Sequence, residues 1–500
     1  MENKTLRVNF FINAVGAIVP IIIALATVPI FVANIGNDRY GVVAIVWVLL
    51  GYFGFIDLGL SRASTNALSS LRSPVSDERA KVLVTSLVLN LTLACAGTVA
   101  LYFAGGYLLN HVVSVPAELQ GEINSALPWI ACLLPLVLVS GIALGVLESR
   151  EMFLVANLIQ TIGAAVGQIV PVVCAILISP SLSVVIPAAA LARIFTAALL
   201  LAIVYAQEKP LRFSHFDPHR AKALLSYGGW ITLSGIVTPF LNTFDQLVIG
   251  RLLGVASVTF YSVPMNLIMR SQLFTNALSR TLFPRLSSLD LQSATEIASR
   301  SLVTSAVVYG GICSGGILLY RPFIALWMGD AFEAMAGDIG TLLIVGTWVN
   351  ALAFAPYTLL QGQRRPDIVA KLHLGQVLPY LGFLYVMTQS FGLIGAATAF
   401  VVRAIADCLI LILLSSLPRA ILCRLLPPFA LLLISAAAET FLRGNLIATL
   451  VGCVAVAAAT AGLLRLQDPE AFRIGTSILN RLLRLARLKP AKTSTANPKN

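Results

Sequence analysis

Apolar residues gather into runs of about 20 to 28 positions along this chain, separated by short polar breaks, from Phe10 to Arg465. A helix needs about 20 apolar residues to cross a hydrocarbon core ~30 Å thick, so runs of this length are membrane spans. They lie at 10–34, 40–64, 82–108, 124–147, 153–178, 183–206, 224–250, 257–283, 301–327, 339–361, 369–389, 392–415, 425–442 and 445–464, about fourteen in all. The shortest breaks are at Arg39–Tyr40, Gln389–Gly392 and Arg443. The pattern predicts an all-α polytopic membrane protein and argues against a soluble fold.

The polar breaks alternate in charge. The N-terminus, the loops after even spans and the C-terminal tail hold 25 Lys and Arg; the loops after odd spans hold only Arg39, Arg251, Arg321 and Arg443. Positive residues mark the cytoplasmic side, so both termini are expected to be cytoplasmic and the number of spans even. A missed span would scramble this alternation, so it supports the span boundaries as well.

A repeat underlies the pattern. The first span contains Pro20 and is left through Gly36; the seventh contains Pro239 and is left through Gly254, offsets of 219 and 218. Tyr40-Gly41-Val42-Val43 corresponds loosely to Phe260-Tyr261-Ser262-Val263. Arg193 and Arg403 lie near the middle of the sixth and twelfth spans, 210 apart. The expected organisation is an N-terminal six-helix bundle (1–208), a pseudo-symmetric C-terminal six-helix bundle (209–418), two additional transmembrane helices (419–466) and a basic cytoplasmic tail (467–500). Six is even, so both halves run in the same sense, as parallel repeats about an axis along the membrane normal do.

Composition narrows the function classes. The chain is 58% hydrophobic and 11% charged, with mean hydropathy +0.89. Its formal net charge of +12 is accounted for by topology, so no nucleic-acid partner is expected. The seven Cys lie in or beside spans without paired spacing, which argues against disulfides and metal sites. Met1–Asn9 is short and polar and the first apolar run is too long for an h-region, so no cleavable signal is expected.

Charged residues inside spans carry the sharpest signal, because each costs at least about 2.5–3.5 kcal/mol at mid-bilayer. They are Asp57, Arg62, Arg193, Asp245, Arg270, Arg280, Arg403 and Asp407. Arg403 and Asp407 are four apart on one helical face, in position to pair. Asp57, Arg62 and Arg280 lie close enough to a span end to reach the interface. Arg270 sits halfway along its span, and Asp245 follows Pro239, expected to break the helix, by six residues. Two readings stand: a cationic cavity for an anionic ligand, built by Arg62, Arg270, Arg280, Arg193 and Arg403, or a set of interhelical ion pairs.

Enzyme signatures are missing. His215 and His219 lie in the basic loop RFSHFDPHRAK without acidic or Cys partners at metal spacing, and no GxxxxGK[ST] loop occurs. The longest outer loop, 109–123, is too small to be a catalytic domain. Neither a catalytic residue nor a cofactor is expected, and the energy source would be an ion gradient (H+ or Na+), the membrane potential or the substrate gradient. In the tail, Ile474, Ile478, Leu482 and Leu485 fall on one stripe with Arg481, Arg484 and Arg487 elsewhere, which fits a basic amphipathic helix on membrane lipids or a topology anchor.

The stretch IGNDRYGVVAIVWVLLGYFGFIDLGLSRASTNALS, from Ile35 to Ser69, resembles the polysaccharide transporter family through Gly36, Tyr40-Gly41, Tyr52-Phe53, Asp57-Leu58-Gly59-Leu60 and Arg62. FDQLVIGRLLGVASVTFYSV is similar to that family's second-half signature through Asp245, Gly250, Gly254 and Tyr261, and LFPRLS (Leu282–Ser287) fits its eighth-span ending. The resemblance implies a MATE-like fold of the MOP exporter superfamily. It also implies a Wzx-type flippase moving undecaprenyl-pyrophosphate-linked oligosaccharide units from the cytoplasmic to the outer leaflet of a bacterial inner membrane, for O-antigen or exopolysaccharide synthesis. On that reading Arg62, Arg270 and Arg280 hold the head group, and Asp57, Asp245 and Asp407 couple an ion or gate by pairing with an Arg. A monomeric transport unit and downstream polymerase machinery as partner follow. The alternatives are a multidrug or cation antiporter, against which the Arg count argues, a lipid II flippase of the same superfamily, and, from another class, a membrane glycosyltransferase.

Overall fold

The computed structural model describes residues 2–71, 77–208, 215–272, 275, 282–283, 285–363 and 365–477. Among these described residues every regular element is helical. In order they are α1 (Glu2–Ile35), α2 (Asn37–Phe53), α3 (Leu60–Ser69), α4 (Asp77–Tyr107), α5 (Ala117–Ser149), α6 (Phe153–Leu177), α7 (Leu182–Gln207), α8 (Pro218–Leu252), α9 (Val255–Met269), α10 (Leu291–Met328), α11 (Asp330–Leu352), α12 (Phe354–Gly362), α13 (Pro366–Leu414), α14 (Ile421–Leu442) and α15 (Leu446–Gln467).

Eleven helical stretches among the described residues are long and apolar enough to cross a membrane, against the roughly fourteen expected from the runs. Two runs, 369–389 and 392–415, fuse into the 49-residue α13, which is kinked at Gly392 (φ 60°, ψ −140°). The runs at 224–250 and 257–283 fall on α8 and α9, which are not among the eleven. The second of these continues past Gln272 into positions outside the described residues, and the amphipathic stripe read in the tail lies mostly outside them too. The proline break expected at Pro239 is absent: α8 runs helically through it.

The chain divides into two compact units, Met1–Arg270 with Ala370–Ala399, and Ser271–Val369 with Phe400–Asn500. In the first unit, Leu68, Val82, Leu83, Ile142, Val146, Leu200 and Val204 form one core among α3, α4, α5 and α7. The turns into α2 and α9 are near copies. Gly36 (φ 83°, ψ 164°) opens α2 and Gly254 (φ 85°, ψ 164°) opens α9, a backbone conformation open to glycine and strained for other residues. Each helix then tightens into a 3₁₀ turn, Gly54–Asp57 after α2 and Arg270–Gln272 after α9. The same glycine conformation also opens α11, at Gly329 (φ 92°, ψ 160°).

These two helices also meet closely. A Cβ on Gly41 would lie 1.8 Å from the Val255 carbonyl oxygen, so only a glycine permits this approach. Thr259 Oγ1 donates to the Asn37 carbonyl at 2.6 Å. From the turn after α4, the Ser114 amide donates to the Gly250 carbonyl (2.9 Å) and its carbonyl accepts from the Val255 amide (3.3 Å). Ser114 therefore satisfies both the end of α8 and the start of α9, where intrahelical partners run out.

In the second unit, the 38-residue α10 packs against α11, α14 and α15. Asp290 caps its N-terminus by accepting from the Ser293 amide at 3.2 Å, and hydrogen bonds from Ser293 hold the Asp290 carboxyl below the usual aspartate range. The Trp348 indole on α11 donates to the Ala306 carbonyl of α10 at 3.1 Å, which satisfies a polar atom that burial would otherwise penalise.

Candidate functional site

The second span is the broken one. After the 3₁₀ turn, Leu58 (φ 46°, ψ 31°) and Gly59 (φ 68°, ψ 13°) are both left-handed, and helix resumes at Leu60. A leucine in that region is an outlier that the surrounding structure must hold in place, and such outliers concentrate at functional sites. Irregular backbone at membrane depth is tolerated only against protein or a water-lined space. Asp57 sits at the break: Oδ2 accepts from the Ser61 amide (3.2 Å), and Oδ1 from Ser61 Oγ (2.9 Å) and from Asn90 Nδ2 of α4 (2.7 Å). Arg62 follows in the first turn of α3, exposed, with no hydrogen bond or ion pair to any described residue.

Arg270 stands in the 3₁₀ turn after α9 and is likewise exposed and without a hydrogen bond or ion pair among the described residues. Arg280 lies outside the described residues. At 218 positions beyond Arg62, it has the same offset as Gly254 from Gly36.

The other in-span charges are accommodated differently. Arg193 on α7 lies over the Trp47 ring at 5.3 Å, a cation–π contact. Arg403 and Asp407 are both buried on α13, with the Arg403 guanidinium 5.6 Å from the Phe400 ring. Asp245 is only 1% exposed and accepts a 2.5 Å hydrogen bond from the Tyr261 hydroxyl. Close by in the same unit, Thr243 Oγ1 donates to the Tyr52 hydroxyl at 3.0 Å.

Three features escape a reading by span charges. Arg79 and Arg150 converge on Glu208 at 3.0 and 2.9 Å, with side-chain exposures of 3%, 13% and 1%. Arg79 also donates to the Leu68 carbonyl and Ser149 Oγ, and Arg150 to the Gln207 carbonyl, so two guanidiniums cap the C-terminal ends of α3, α5 and α7. In the second unit Arg321 pairs with Glu333, Asp338 and Glu439, and Arg443 with Asp338 and Glu439. The third is Asn90, fully buried, whose Oδ1 has no hydrogen-bond partner. A lone amide inside the run 82–108 was the available signal for it, since a buried amide needs partners for both of its ends. No group of three or more His, Cys, Asp or Glu is placed to hold a metal ion among the described residues.

Residues 6–290 match the family described as polysaccharide biosynthesis protein. A Shigella flexneri protein named "Putative O-antigen transporter" is 28% identical over 402 residues, covering 80% of this chain and 95% of that one. An uncharacterised membrane protein of Bacillus subtilis, EpsK, is 21% identical over 417 residues, covering 78% and 79%. Among solved structures, the lipid II flippase MurJ in an inward closed conformation aligns with TM-score 0.68 and 13% identity, covering 92% of this chain and 98% of that one. An inward-facing multidrug resistance MATE transporter of the MOP superfamily aligns with TM-score 0.61 and 15% identity, covering 83% and 98%. At these identities the structural likeness is one of fold, the MATE-like arrangement of the MOP superfamily.

Proposed function

Because the chain belongs to the polysaccharide biosynthesis protein family, we propose that it carries undecaprenyl-pyrophosphate-linked oligosaccharide units from the cytoplasmic to the outer leaflet of a bacterial inner membrane, by alternating access and without making or breaking a glycan bond. The observation that carries this reading is the pair Arg62, beside the break in the second span, and Arg270, in the 3₁₀ turn after α9, exposed cations that make no hydrogen bond or ion pair to a described residue. An unpaired guanidinium is costly at membrane depth, so its partner is a ligand. A diphosphate suits it through forked, charge-assisted hydrogen bonds. Arg62 also stands in the first turn of α3, where the helix N-terminus adds to the positive field. The Shigella relative's name points to the same class of cargo.

Alternating access requires the close contact of α2 with α9 at Gly41 to separate, releasing the Ser114 and Thr259 hydrogen bonds. The charge alternation supports an orientation with this contact on the outer side and both termini in the cytoplasm. The unit delivered outward would then meet a polymerase on that face.

The test is where lipid-linked glycan accumulates in cells lacking the protein. Intermediates held on the cytoplasmic leaflet are expected. Arg62→Ala and Arg270→Ala should restore flipping at least about tenfold less well than wild type at equal expression, the scale of a lost charged hydrogen bond. Arg→Lys variants should fall between. Normal glycan export in the deletion strain, together with altered sensitivity to cationic drugs, would sink the reading in favour of an antiporter.

A further inference from the structure

We propose that Trp47 and Arg193 form a saccharide platform, on which a sugar ring of the cargo lies against the Trp47 indole while the Arg193 guanidinium donates to its oxygens. The protein would then read the glycan as well as the head group; this rests on the flippase reading above. Both residues belong to the first unit. Trp47 is ten residues beyond Asn37, where α2 starts, and Arg193 eleven beyond Leu182, where α7 starts. Each is therefore about 15 Å along its helix, half-way across a core ~30 Å thick, too deep for Arg193 to reach the interface. Its guanidinium stands 5.3 Å from the centre of the Trp47 ring and is exposed, with no hydrogen bond or ion pair to a described residue. A cation–π contact at an exposed site recovers less than an arginine costs at mid-bilayer. Water or a ligand must supply the rest, so Arg193 faces a wet space, and Trp47, in contact with it, borders the same space.

The surface beside Trp47 is open and aromatic. Trp47 is 38% exposed, although Val46 and Val48 on either side are buried. One turn on, Gly51 is exposed, and nothing lies within 4 Å of the Cβ position at Gly51 or Gly54. Phe55 follows, 45% exposed. Trp47, Gly51 and Phe55 recur every four residues and so share one face, a strip about 12 Å long. The strip ends at the break, with Arg62 just beyond it. A diphosphate at Arg62 would thus lay the attached sugars along this face. A pyranose ring offers an apolar face of C–H groups, which an indole plate covers, and a rim of oxygens, which a guanidinium fork engages. A lipid tail would suit the aromatic strip and not Arg193, and a phosphate would suit Arg193 and not the strip; a sugar uses both.

The experiment measures binding of two probes to the purified full-length chain in lipid nanodiscs: undecaprenyl pyrophosphate without sugar, and the undecaprenyl-pyrophosphate-linked oligosaccharide of the source bacterium. The wild type should bind the sugar-bearing lipid at least about tenfold more tightly, the scale of one charged hydrogen bond with an aromatic contact. Trp47→Ala and Arg193→Ala should each bring the two probes close to equal affinity. Arg62→Ala should weaken both probes and keep the difference between them, which separates the platform from the head-group contact. Trp47→Tyr keeps a ring and should keep part of the preference; Arg193→Lys keeps the charge but not the fork and should lose most of it. Should Trp47→Ala fail to fold, Trp47→Tyr, Arg193→Lys and the two-probe contrast of the wild type carry the test. Equal binding of the two lipids by the wild type, or a preference that survives in both alanine variants, would overturn the platform and leave the head-group reading standing. Binding of neither lipid would overturn both.

Discussion

Two regions of the first unit are built from the same ingredients, arginine and carboxylate placed among apolar helices, and are finished differently. At the ends of α3, α5 and α7, Arg79 and Arg150 donate to Glu208, two carbonyls and a serine hydroxyl. At the break in the second span Arg62 meets no acceptor and Asn90 Oδ1 no donor. Complete pairing makes the first region a clasp that fixes where three helices end. The second leaves polar atoms unpaired, and the left-handed Leu58 beside it is a conformation that its surroundings must hold in place. In-span charge is therefore a poor guide to function taken residue by residue; what separates the two regions is whether the protein itself satisfies the charge.

Removing Glu208 gives the largest effect expected here. Glu208→Ala leaves two buried guanidiniums without their carboxylate, a loss of about 3–5 kcal/mol, read as thermal unfolding in detergent. Replacing Arg79, Arg150 and Glu208 together by Met should recover most of it, because the desolvation penalty of all three charges disappears. Arg62→Ala should leave the ligand-free protein at least as stable as wild type, since it removes a charge held by no hydrogen bond or ion pair. If the two single variants were equally destabilising, the distinction between a structural and a ligand-seeking arginine would collapse.

A smaller contrast runs along α2 itself. Gly41 lies at its packed end, where a Cβ would strike the Val255 carbonyl; Gly51, two residues before the helix gives way at Phe53, has nothing within 4 Å of that position. Gly41→Ala should destabilise by about 3 kcal/mol, since a backbone carbonyl has little room to yield. Gly51→Ala should stabilise by about 0.5–1 kcal/mol through helix propensity alone. Thermal shifts of opposite sign would show that α2 is packed tightly at one end and open toward its break.

The sequence made the helical, membrane-spanning character legible because a 20-residue apolar run has no other physical use, and Gly36 and Gly254 could be paired because they answer the same backbone requirement. The break was less so. Pro239 read as the interruption, yet α8 continues through it, whereas the second span breaks at Leu58-Gly59, where leucine gives no warning of a left-handed conformation. Asp57 and Arg62 could be picked out as in-span charges, but their difference could not, because it depends on Asn90, Ser61 and the distances among them. Glu208 was invisible as a partner for Arg79: the two are 129 residues apart, and each reads as an ordinary loop charge at the edge of its span.

A further small effect lies in the second unit and asks whether a clasp at the edge of the apolar region follows the rule of the Glu208 clasp. Asp468, just past the end of α15, accepts from Arg300 at 3.0 and 2.8 Å, from Thr304 at 2.5 Å and from the Ala471 amide at 3.1 Å. Burial alone would raise its carboxyl, but the hydrogen bonds from Arg300 and Thr304 prevail and hold it at about 2, below the ordinary 3.8. The folded state thus binds this proton less readily than the unfolded chain does. The contribution of the clasp is complete above the unfolded value, and it is lost as pH falls toward about 2. Arg300 is half exposed, so solvent screening limits the effect to about 1 kcal/mol. Melting curves between pH 5 and pH 2.5 should fall more steeply for the wild type than for Asp468→Asn, and the two should converge at the acid end. Parallel curves would mean that this pair, unlike Arg79–Arg150–Glu208, contributes nothing measurable, and that only fully buried clasps set the ends of helices in this protein.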